Sequence, residues 1–308
     1  MHDAEKTQIM DMNQPSNIEA AIRASSTGNG RARSIGGILI DAGRLSVESV
    51  ERIIREQKSK GLRFGDAAVG LGLLTQADID FALARQFDYP CLPAGDVTLS
   101  DKLVAAYRPA SSIVEQLRAL RSQLMVRWFG AEAPQRALAV VSSERGEGRS
   151  FVAANLAVVF SQLGERTLLI DADLRNPSQH TYFNLDLRAP GLSAVLSGRA
   201  NGEAIVRIPS LVELSVLPAG AVPPNPQELL ARPQFTRLIE QVGKSFDVVI
   251  VDTPSAELAA DANVVAARTG AALVVARRDH TPAPKVQSLT KALSDANSVV
   301  VGSVLNAY

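Results

Sequence analysis

Apolar residues follow two different patterns along this chain, one before about residue 90 and one after about residue 100. In the later part, short runs of Val, Leu, Ile and Ala alternate with longer segments in which apolar residues recur every three or four positions. Short uninterrupted runs are typical of buried strands, and the longer spacing is typical of amphipathic helices. We predict strands at 137–143, 166–171, 211–217, 247–252, 271–277 and 298–304. We predict helices at 110–128, 149–163, 226–242, 261–268 and 283–296.

This alternation predicts the fold class. Strands that alternate with helices form a mostly parallel sheet with helices on both of its faces. We therefore expect an α/β domain at 105–308, preceded by a small all-α module.

The earlier part of the chain contains an internal repeat. Residues 34–57 align without gaps to residues 63–86, with Gly at the third and tenth positions of both copies and Gln at the end. Each copy is typical of a short helix, a Gly stop, a Ser or Thr cap and a longer helix. Two such units would pack together as a helical module at 34–90. We predict a flexible tail at 1–33. Pro90 and Pro93 predict a linker at 91–104.

Composition and charge exclude several classes of protein. Lys and Arg total 32 and Asp and Glu total 32, so net charge indicates no nucleic-acid partner. The single cysteine, Cys91, excludes an intrachain disulfide and indicates a reducing compartment. No apolar run approaches the roughly 20 residues of a membrane-spanning helix, and the N-terminus lacks the apolar core of a signal peptide. We expect a cytoplasmic protein without direct membrane insertion, which would reach the inner membrane peripherally through a partner.

A turn between the first predicted strand of the α/β domain and the helix after it carries candidate chemistry. It reads SSERGEGRS at 142–150, and Gly146 and Gly148 would turn backbone N–H groups towards phosphate at a helix N-terminus. Against the pattern G-x-x-x-x-G-K-[ST], Ser143 replaces the first Gly and Arg149 replaces the Lys. An ordinary strand–turn–helix junction is the alternative. The predicted nucleotide-binding residues are Ser143, Glu144, Arg145, Gly146, Glu147, Gly148, Arg149, Ser150 and Phe151.

Two further strands end in aspartates. LLIDADLR at 168–175 supplies Asp171 and Asp173, and VVIVDTP at 248–254 supplies Asp252. Neighbouring carboxylates repel each other, so a cation is their natural compensation. Mg²⁺ is the expected cation, with Ser150, Asp171, Asp173 and Asp252 as ligands. With the phosphate loop, these aspartates predict a nucleoside-triphosphate site.

With these motifs, the chain from about 105 to 308 resembles the cytoplasmic bacterial tyrosine kinases of exopolysaccharide and capsule synthesis. LLIDADLRNP matches that family's motif fully, GEGRS stands for its GEGK[ST], and DTPS stands for its DTPP. APGLSAVLSG at 189–198 and LPAGAVPPNPQELL at 217–230 also match. The resemblance implies a P-loop NTPase-like fold, ATP and Mg²⁺ as cofactors, and phosphate transfer to tyrosine. It assigns Asp171, Asp173 and Asp252 to Mg²⁺ and catalysis, and Ser150 to Mg²⁺. We expect Asp171, Asp173 and Arg149 to be the catalytic residues, with Asp171 as proton acceptor and Arg149 meeting the charge of the transferred phosphoryl group.

The same resemblance implies partners. Glu115, Arg118 and Arg121 match the family's subunit-contact signature, which implies a homo-oligomer, and a membrane chain-length determinant protein is the expected partner. A solvated charged helix face is the alternative. The family's C-terminal tyrosine cluster is missing, since the tyrosines are Tyr89, Tyr107, Tyr182 and Tyr308. This absence and Arg149 favour a second hypothesis, a nucleotide-binding scaffold that switches oligomeric state without phosphorylating anything.

The repeat module resembles the N-terminal domain of type II secretion and pilus assembly ATPases. Some members of that class bind cyclic di-GMP through two tandem motifs that begin with Arg and end with Gln. The second copy fits, with Arg63, Gly65, Gly72 and Gln86 as the expected contacts. In the first copy Ser34 stands at the arginine position, so a protein-docking module is an equal alternative.

Overall fold

The computed structural model describes residues 34–87, 89–93, 95–130, 136–258 and 260–307. The chain divides into two compact units, residues 1–89 and residues 90–308. The tail predicted at 1–33 lies outside the described residues, as does Tyr308.

The first unit contains a helical repeat. Its helices are α1 (Ile35–Asp41), α2 (Val47–Lys60), α3 (Phe64–Gly70) and α4 (Gln76–Gln86). Ser46 and Thr75 cap the two longer helices, each accepting a hydrogen bond from a backbone N–H of the first turn. Gly43 and Gly72 adopt positive φ angles of 67° and 65°, a backbone conformation that stops a helix at little cost only when the residue is Gly.

The glycine at the third position of each repeat permits close helix packing. A Cβ atom on Gly65 would lie 3.1 Å from Cγ2 of Ile79, and one on Gly36 would lie 3.6 Å from both Val50 and Phe64. The approach at Gly65 is therefore closer than a larger residue would allow without a shift of Ile79, whereas a Cβ atom at Gly36 would make an ordinary van der Waals contact.

The second unit is built on a seven-stranded sheet in the order β3-β4-β2-β5-β1-β6-β7. All neighbouring strands are parallel except β3 and β4. The strands are β1 (Ala137–Ser142), β2 (Thr167–Asp171), β3 (Val206–Arg207), β4 (Leu214–Leu217), β5 (Val248–Asp252), β6 (Ala271–Arg277) and β7 (Val299–Asn306). The mostly parallel fold and the six strands predicted from the apolar runs are confirmed. The two-residue edge strand β3 was not predicted because it is too short to show a pattern.

Helices cover both faces of this sheet. They are α5 (Val104–Tyr107), α6 (Ser112–Arg127), α7 (Arg149–Ser161), α8 (Gln179–Tyr182), α9 (Leu192–Leu196), α10 (Pro226–Ala231), α11 (Pro233–Ser245), α12 (Asp261–Thr269) and α13 (Ala283–Asp295). Alternate strand residues belong to two separate buried clusters, with Val140 in one and Val141 in the other. Such a division is expected of a sheet that is buried on both faces.

The prediction of one helix at 226–242 is wrong, because two helices, α10 and α11, occupy this stretch. Arg232 separates them with an extended backbone, φ −64° and ψ 148°. It precedes Pro233, whose ring disfavours a helical conformation of the preceding residue.

Residues 91–104, which the sequence predicts to be a linker, instead contribute side chains to the core of the second unit. Leu92, Leu99 and Leu103 are buried in one core cluster of the second unit. The buried side chain of Asn155 on α7 accepts a hydrogen bond from the N–H of Ala105 at 3.0 Å and donates one to the carbonyl of Lys102 at 3.0 Å. The segment is thus fixed onto the helix that follows the phosphate loop.

The motifs at 189–198 and 217–230, which both contain glycine, meet in the second unit. The N–H of Leu192 donates to the carbonyl of Pro218 at 2.7 Å, and the N–H of Ser193 donates to that of Ala219 at 3.0 Å. A Cβ atom on Gly191 would lie 2.7 Å from the carbonyl carbon of Ala219 and still closer to Pro218. The close approach of the two backbones therefore explains why Gly191 is Gly.

Within the described residues, no helix combines the length and the apolar character needed to cross a membrane.

Candidate functional site

The phosphate loop and the aspartates predicted from sequence meet at the carboxyl edge of the sheet. β1, β2 and β5 are parallel neighbours that end there, and Asp171 and Asp252 are partners in the register of β2 and β5. A cavity of about 250 Å³ opens beside them. The residues that line it are Ser142, Arg145, Gly146, Glu147, Gly148, Arg149, Ser150, Phe151, Asp173, Asn176, Ser178, Tyr182, Ser255 and Leu258.

The loop has the conformation that its glycines predict. Gly146 and Gly148 have φ angles of 77° and 89°, and α7 begins at Arg149. The N–H of Val152 donates to the carbonyl of Gly148 at 2.9 Å, which closes the first helical turn. The start of a 13-residue helix therefore faces the cavity, where its dipole favours an anion.

Glu147 braces the loop from inside. Its side chain is buried and accepts hydrogen bonds from the Ser143 hydroxyl at 3.1 Å and from the Glu144 N–H at 2.9 Å. The Thr281 hydroxyl also donates to it, and the Asn306 amide donates to its backbone carbonyl at 3.0 Å. Elements more than 130 residues away along the chain therefore hold the loop.

Two further contacts involve the charged residues of the loop. The N–H of Arg145 donates to the Glu257 carboxylate at 2.9 Å, and Lys285 forms an ion pair with Glu144. The backbone of the loop is therefore partly ordered by carboxylates that belong to the protein itself.

Arg149 lies across the acidic strand ends. Its Nε is 3.0 Å from Oδ1 of Asp252, and its Nη2 is 3.2 Å from Oδ2 of Asp173. Its Nη1 donates to the Ser142 hydroxyl at 3.0 Å. The guanidinium, only 10% exposed, connects the ends of β1 and β5 with the turn after β2.

Asp171 is enclosed by the protein. Its carboxyl is fully buried and accepts hydrogen bonds from the N–H groups of Asp173, Ser178 and Gln179 at 2.9–3.1 Å. Burial, followed by the charge of Asp252, raises the pKa of Asp171 to about 8. Asp171 is absent from the cavity wall, so it supports the turn after β2 from behind.

Asp173 is the one predicted aspartate that lines the cavity. Burial raises the pKa of its carboxyl, while hydrogen bonds from the backbone and the charge of Arg149 oppose that effect. Asp252, fully buried, accepts a hydrogen bond at 2.7 Å from the Gln179 side chain, which also donates to the Ser150 carbonyl at 3.1 Å.

Gln179 and Asp261 also contact residues of the site, although the sequence did not predict them as site residues. Gln179 is buried, and it follows the second aspartate motif without any periodic pattern that would single it out. Arg175 forms an ion pair with the buried Asp261 at 2.7 Å. This pair connects the turn after β2 to the start of α12.

The oxygen donors at the cavity fit a magnesium ion bound together with a nucleotide. Mg²⁺ is usually held by one or two carboxylates together with substrate phosphates and water. Ser150 and Asp173 line the cavity with a hydroxyl and a carboxylate. No group of three or more His, Cys, Asp or Glu residues that could hold a metal unaided occurs in the described part of the chain. The Ser150 hydroxyl and the Asp173 carboxylate therefore suit a cation that phosphate oxygens also hold.

The charged residues predicted to contact a neighbouring subunit bind within their own unit. Glu115 and Arg118 form an ion pair on the surface of α6. Arg121 donates from Nη1 to the carbonyl of Val159 on α7 at 2.8 Å.

The residues expected to contact cyclic di-GMP lie in the helical unit. Arg63 is exposed at the start of α3, and Gln86 is the last residue of α4. Ser34, which stands at the arginine position of the first repeat, accepts a hydrogen bond from the Gly37 N–H at 3.2 Å and so caps α1.

Comparison with known proteins gives matches to most of the second unit. A family model described as an AAA domain matches residues 135–281. The tyrosine-protein kinase YwqD of Bacillus subtilis is 34% identical over 204 residues, which cover 66% of this chain and 85% of that protein. The tyrosine-protein kinase ptk of Acinetobacter johnsonii is 37% identical over 194 residues, which cover 63% of this chain. The matched part spans only 26% of that relative's length.

Solved structures give the same result. The kinase domain of the Escherichia coli tyrosine kinase ETK superimposes with a TM-score of 0.63 at 34% identity, covering 67% of this chain and 79% of that one. The chimerical protein CapA2B2 superimposes with a TM-score of 0.62 at 31% identity, covering 73% of this chain and 96% of that one.

Proposed function

Because this chain belongs to the family of bacterial tyrosine-protein kinases, we propose that it binds ATP at the 142–150 loop and transfers the γ-phosphate to a tyrosine. The acceptor would be a tyrosine of this chain or of a partner. The observation that carries this proposal is the cavity beside the loop, where a helix N-terminus, the Ser150 hydroxyl and the Asp173 carboxylate lie together. That combination suits the phosphates of a nucleotide and the cation that accompanies them.

Each residue has a distinct role in this proposal. Gly146 and Gly148 give the loop its shape, and the start of α7 stabilises phosphate charge. Mg²⁺, held through Ser150 and Asp173, would neutralise charge on the phosphates. Asp252 would act through Arg149, which contacts it.

The geometry favours Asp173 over Asp171 as the carboxylate that accepts the phenol proton. Asp173 lines the cavity, whereas Asp171 is fully buried behind the turn. With its pKa raised to about 8, Asp171 is mostly protonated at neutral pH, and a protonated carboxyl cannot accept a proton. Asp171 then keeps the turn in place, since its oxygens accept hydrogen bonds from three backbone N–H groups.

A scaffold that binds nucleotide without transferring phosphate is the second candidate. The observation that favours it is the engagement of Arg149 with Asp173 and Asp252, which directs the guanidinium to carboxylates rather than to phosphate. In this alternative the nucleotide would change the association of subunits and nothing more.

A transfer assay separates the two candidates. The purified chain is incubated with ATP labelled at the γ-phosphate and with Mg²⁺, and the labelled amino acid is identified after hydrolysis. We expect label on tyrosine, lost in Asp173→Asn and retained in the surface control Asp247→Asn. ATP binding without label on this chain or on an added tyrosine polymer would support the scaffold.

Assembly is the next part of the proposal. We expect the chain to form a homo-oligomer and to act in exopolysaccharide synthesis with a membrane chain-length determinant protein, as the family resemblance implies. Glu115, Arg118 and Arg121 lie on α6 near the helix that follows the phosphate loop. Charge reversal at Arg118 should reduce the mass measured by light scattering, whereas reversal at Arg207, in the edge strand, serves as the control. An unchanged mass would count against this interface.

The helical unit would provide regulation. Arg63 is exposed and available to pair with a phosphate or a guanine edge, which supports a cyclic di-GMP site. The glycines of the repeats have structural roles, which supports a protein-docking module equally. Calorimetry of the full chain with cyclic di-GMP distinguishes these alternatives. Heat that disappears in Arg63→Ala supports the sensor, and no heat supports the docking module.

A further inference from the structure

We infer that Arg149 is a resident counter-cation of the acidic strand ends, which excludes divalent cations from the site until a nucleotide is bound. The inference concerns the same cavity as the proposed function and deepens it. It rests on the proposed function only in taking ATP as the nucleotide that binds there.

The charges around Arg149 support this inference. Asp173 and Asp252 have side chains that are 6% and 0% exposed, so water contributes little to stabilising their charge. Buried carboxylates require a cation or a proton to be stable. The guanidinium of Arg149 is the cation that contacts both of them, at 3.2 Å and 3.0 Å.

All three nitrogens of the guanidinium donate hydrogen bonds to side chains of the protein. Nε donates to Asp252, Nη1 to Ser142 and Nη2 to Asp173, so each of the three nitrogens has an acceptor. The oxygen of Asp173 that Arg149 binds is therefore already paired with a positive charge. A divalent cation approaching that oxygen would have to displace the guanidinium and would be repelled by its charge.

A lysine at this position could not do the same. The guanidinium is a planar fork that donates in several fixed directions, whereas an ammonium is a single compact charge at the end of a flexible stem. One ammonium could approach one carboxylate closely, but it would not hold Ser142, Asp173 and Asp252 at the distances seen for Arg149.

Nucleotide binding supplies the competing acceptor. Arg149 is the first residue of α7, at the helix terminus where phosphate would bind. Phosphate oxygens are strong acceptors for a guanidinium and would draw it from the carboxylates. The carboxylates would then need another cation. Nucleotide and divalent cation should therefore each raise the affinity for the other, a coupling that is reciprocal by thermodynamic necessity.

Manganese binding to the full chain tests this inference. Free Mn²⁺ is counted by electron paramagnetic resonance as the ion is titrated into nucleotide-free protein, and again with a non-hydrolysable ATP analogue present. The variants are Arg149→Ala and Arg149→Lys. The matched control is Arg166→Ala, which removes an arginine from an ion pair with Asp247 away from the cavity.

We expect weak Mn²⁺ binding to the nucleotide-free parent chain. Arg149→Ala should bind Mn²⁺ more tightly by about tenfold or more, the scale on which groups contacting metal ligands change metal affinity. Arg149→Lys should show a smaller gain, because the ammonium keeps the positive charge but not the fixed fork of donors. Arg166→Ala should behave as the parent, and adding Asp173→Asn to Arg149→Ala should abolish the gain. Melting curves establish that each variant is folded, and Arg149→Lys keeps the positive charge if Arg149→Ala is unstable.

Equal Mn²⁺ affinity in the nucleotide-free parent and in folded Arg149→Lys and Arg149→Ala proteins would overturn the inference. This outcome can be distinguished from a failure of the proposed function. If the parent binds no nucleotide, the proposed function fails, while the comparison in nucleotide-free protein still decides the role of Arg149.

Discussion

At the scale of single residues, burial changes the roles that the sequence assigns to the aspartates. Asp171, Asp173 and Asp252 all follow apolar runs, and the sequence alone treats them alike. In the structure, Asp173 lines the cavity, while Asp171 and Asp252 are fully buried. The difference arises because the chain leaves the sheet after Asp171 and turns back so that three N–H groups enclose its carboxyl. Asp171 is therefore enclosed by backbone N–H groups, Asp252 is buried against Arg149, and only Asp173, also paired with Arg149, borders the cavity.

The raised pKa of Asp171 predicts a pH dependence of stability. Between about pH 4 and the folded-state pKa of about 8, Asp171 is ionised in the unfolded chain but protonated in the folded one. Its contribution to the free energy of unfolding therefore falls as pH rises, by at most about 1.4 kcal/mol per pH unit. We expect the parent chain to lose stability relative to Asp171→Asn between pH 5 and pH 7.5, as measured by urea unfolding in buffer with EDTA.

Asp247 provides the control for this measurement. A hydrogen bond from Arg166 lowers the pKa of its carboxyl, so Asp247 is ionised in both states above pH 5. The stability difference between the parent and Asp247→Asn should stay constant over the same range. A constant difference for Asp171→Asn as well would show that Asp171 is ionised in the folded protein.

At the scale of elements, side-chain contacts between distant segments help the sheet to position the site. The turn after β2 is tied to α12 by Arg175 and Asp261, and the phosphate loop is tied to the end of β7 by Asn306. The strands and the main helices were predictable because apolar periodicity is a local property of the sequence. The contacts of Gln179 with Asp252 and of Arg175 with Asp261 were not predictable, because the partners lie 73 and 86 residues apart in the chain.

The close contact between the motifs at 189–198 and 217–230 predicts that a single added methyl group lowers the stability of the protein. A Cβ atom at Gly191 would meet the backbone of Ala219 and Pro218, which cannot move as a flexible side chain can. We expect Gly191→Ala to lower the free energy of unfolding by about 1–3 kcal/mol, the usual cost of overpacking. Thermal or urea unfolding measures it.

Gly202 is the matched control for that substitution. A Cβ atom there meets nothing within 4 Å, so Gly202→Ala should change stability little. Equal effects of the two substitutions would mean that the close approach at Gly191 is not what limits this position.

The buried Asn155 predicts a second effect at this scale. Asn155→Ala would leave the N–H of Ala105 and the carbonyl of Lys102 without this side chain as partner. Each unsatisfied buried group costs about 1–3 kcal/mol. We expect a marked fall in melting temperature, together with faster proteolysis at 95–107. Unchanged proteolysis of that segment would contradict the assignment of Asn155 as its anchor.

At the scale of the whole molecule, the chain consists of two compact units, and the cavity beside the 142–150 loop lies within the second. The sequence indicates this organisation through the change from repeat to strand–helix alternation near residue 90. It does not indicate that 91–104 packs into the second unit, because Pro90, Pro93 and scattered leucines are also typical of a linker.

The position of the boundary predicts how a fragment behaves. Residues 90–308 contain every residue that lines the cavity. We expect this fragment to unfold cooperatively and to bind ATP with the Kd of the full chain, as measured by calorimetry. A fragment beginning at residue 108 lacks the segment held by Asn155 and should be less stable. Loss of ATP binding in the 90–308 fragment would show that the helical unit contributes to the site.

The most direct test of the proposed activity measures two products in one reaction. The purified full chain is supplied with ATP, Mg²⁺ and a tyrosine-containing polymer, and the ADP and phosphotyrosine that form are both quantified. We predict that phosphotyrosine forms in a ratio to ADP that rises towards one as the polymer concentration is raised, and that both products are lost in Asp173→Asn. ADP without phosphotyrosine at any polymer concentration, or ATP binding without either product, would contradict the assignment of this chain as a tyrosine kinase.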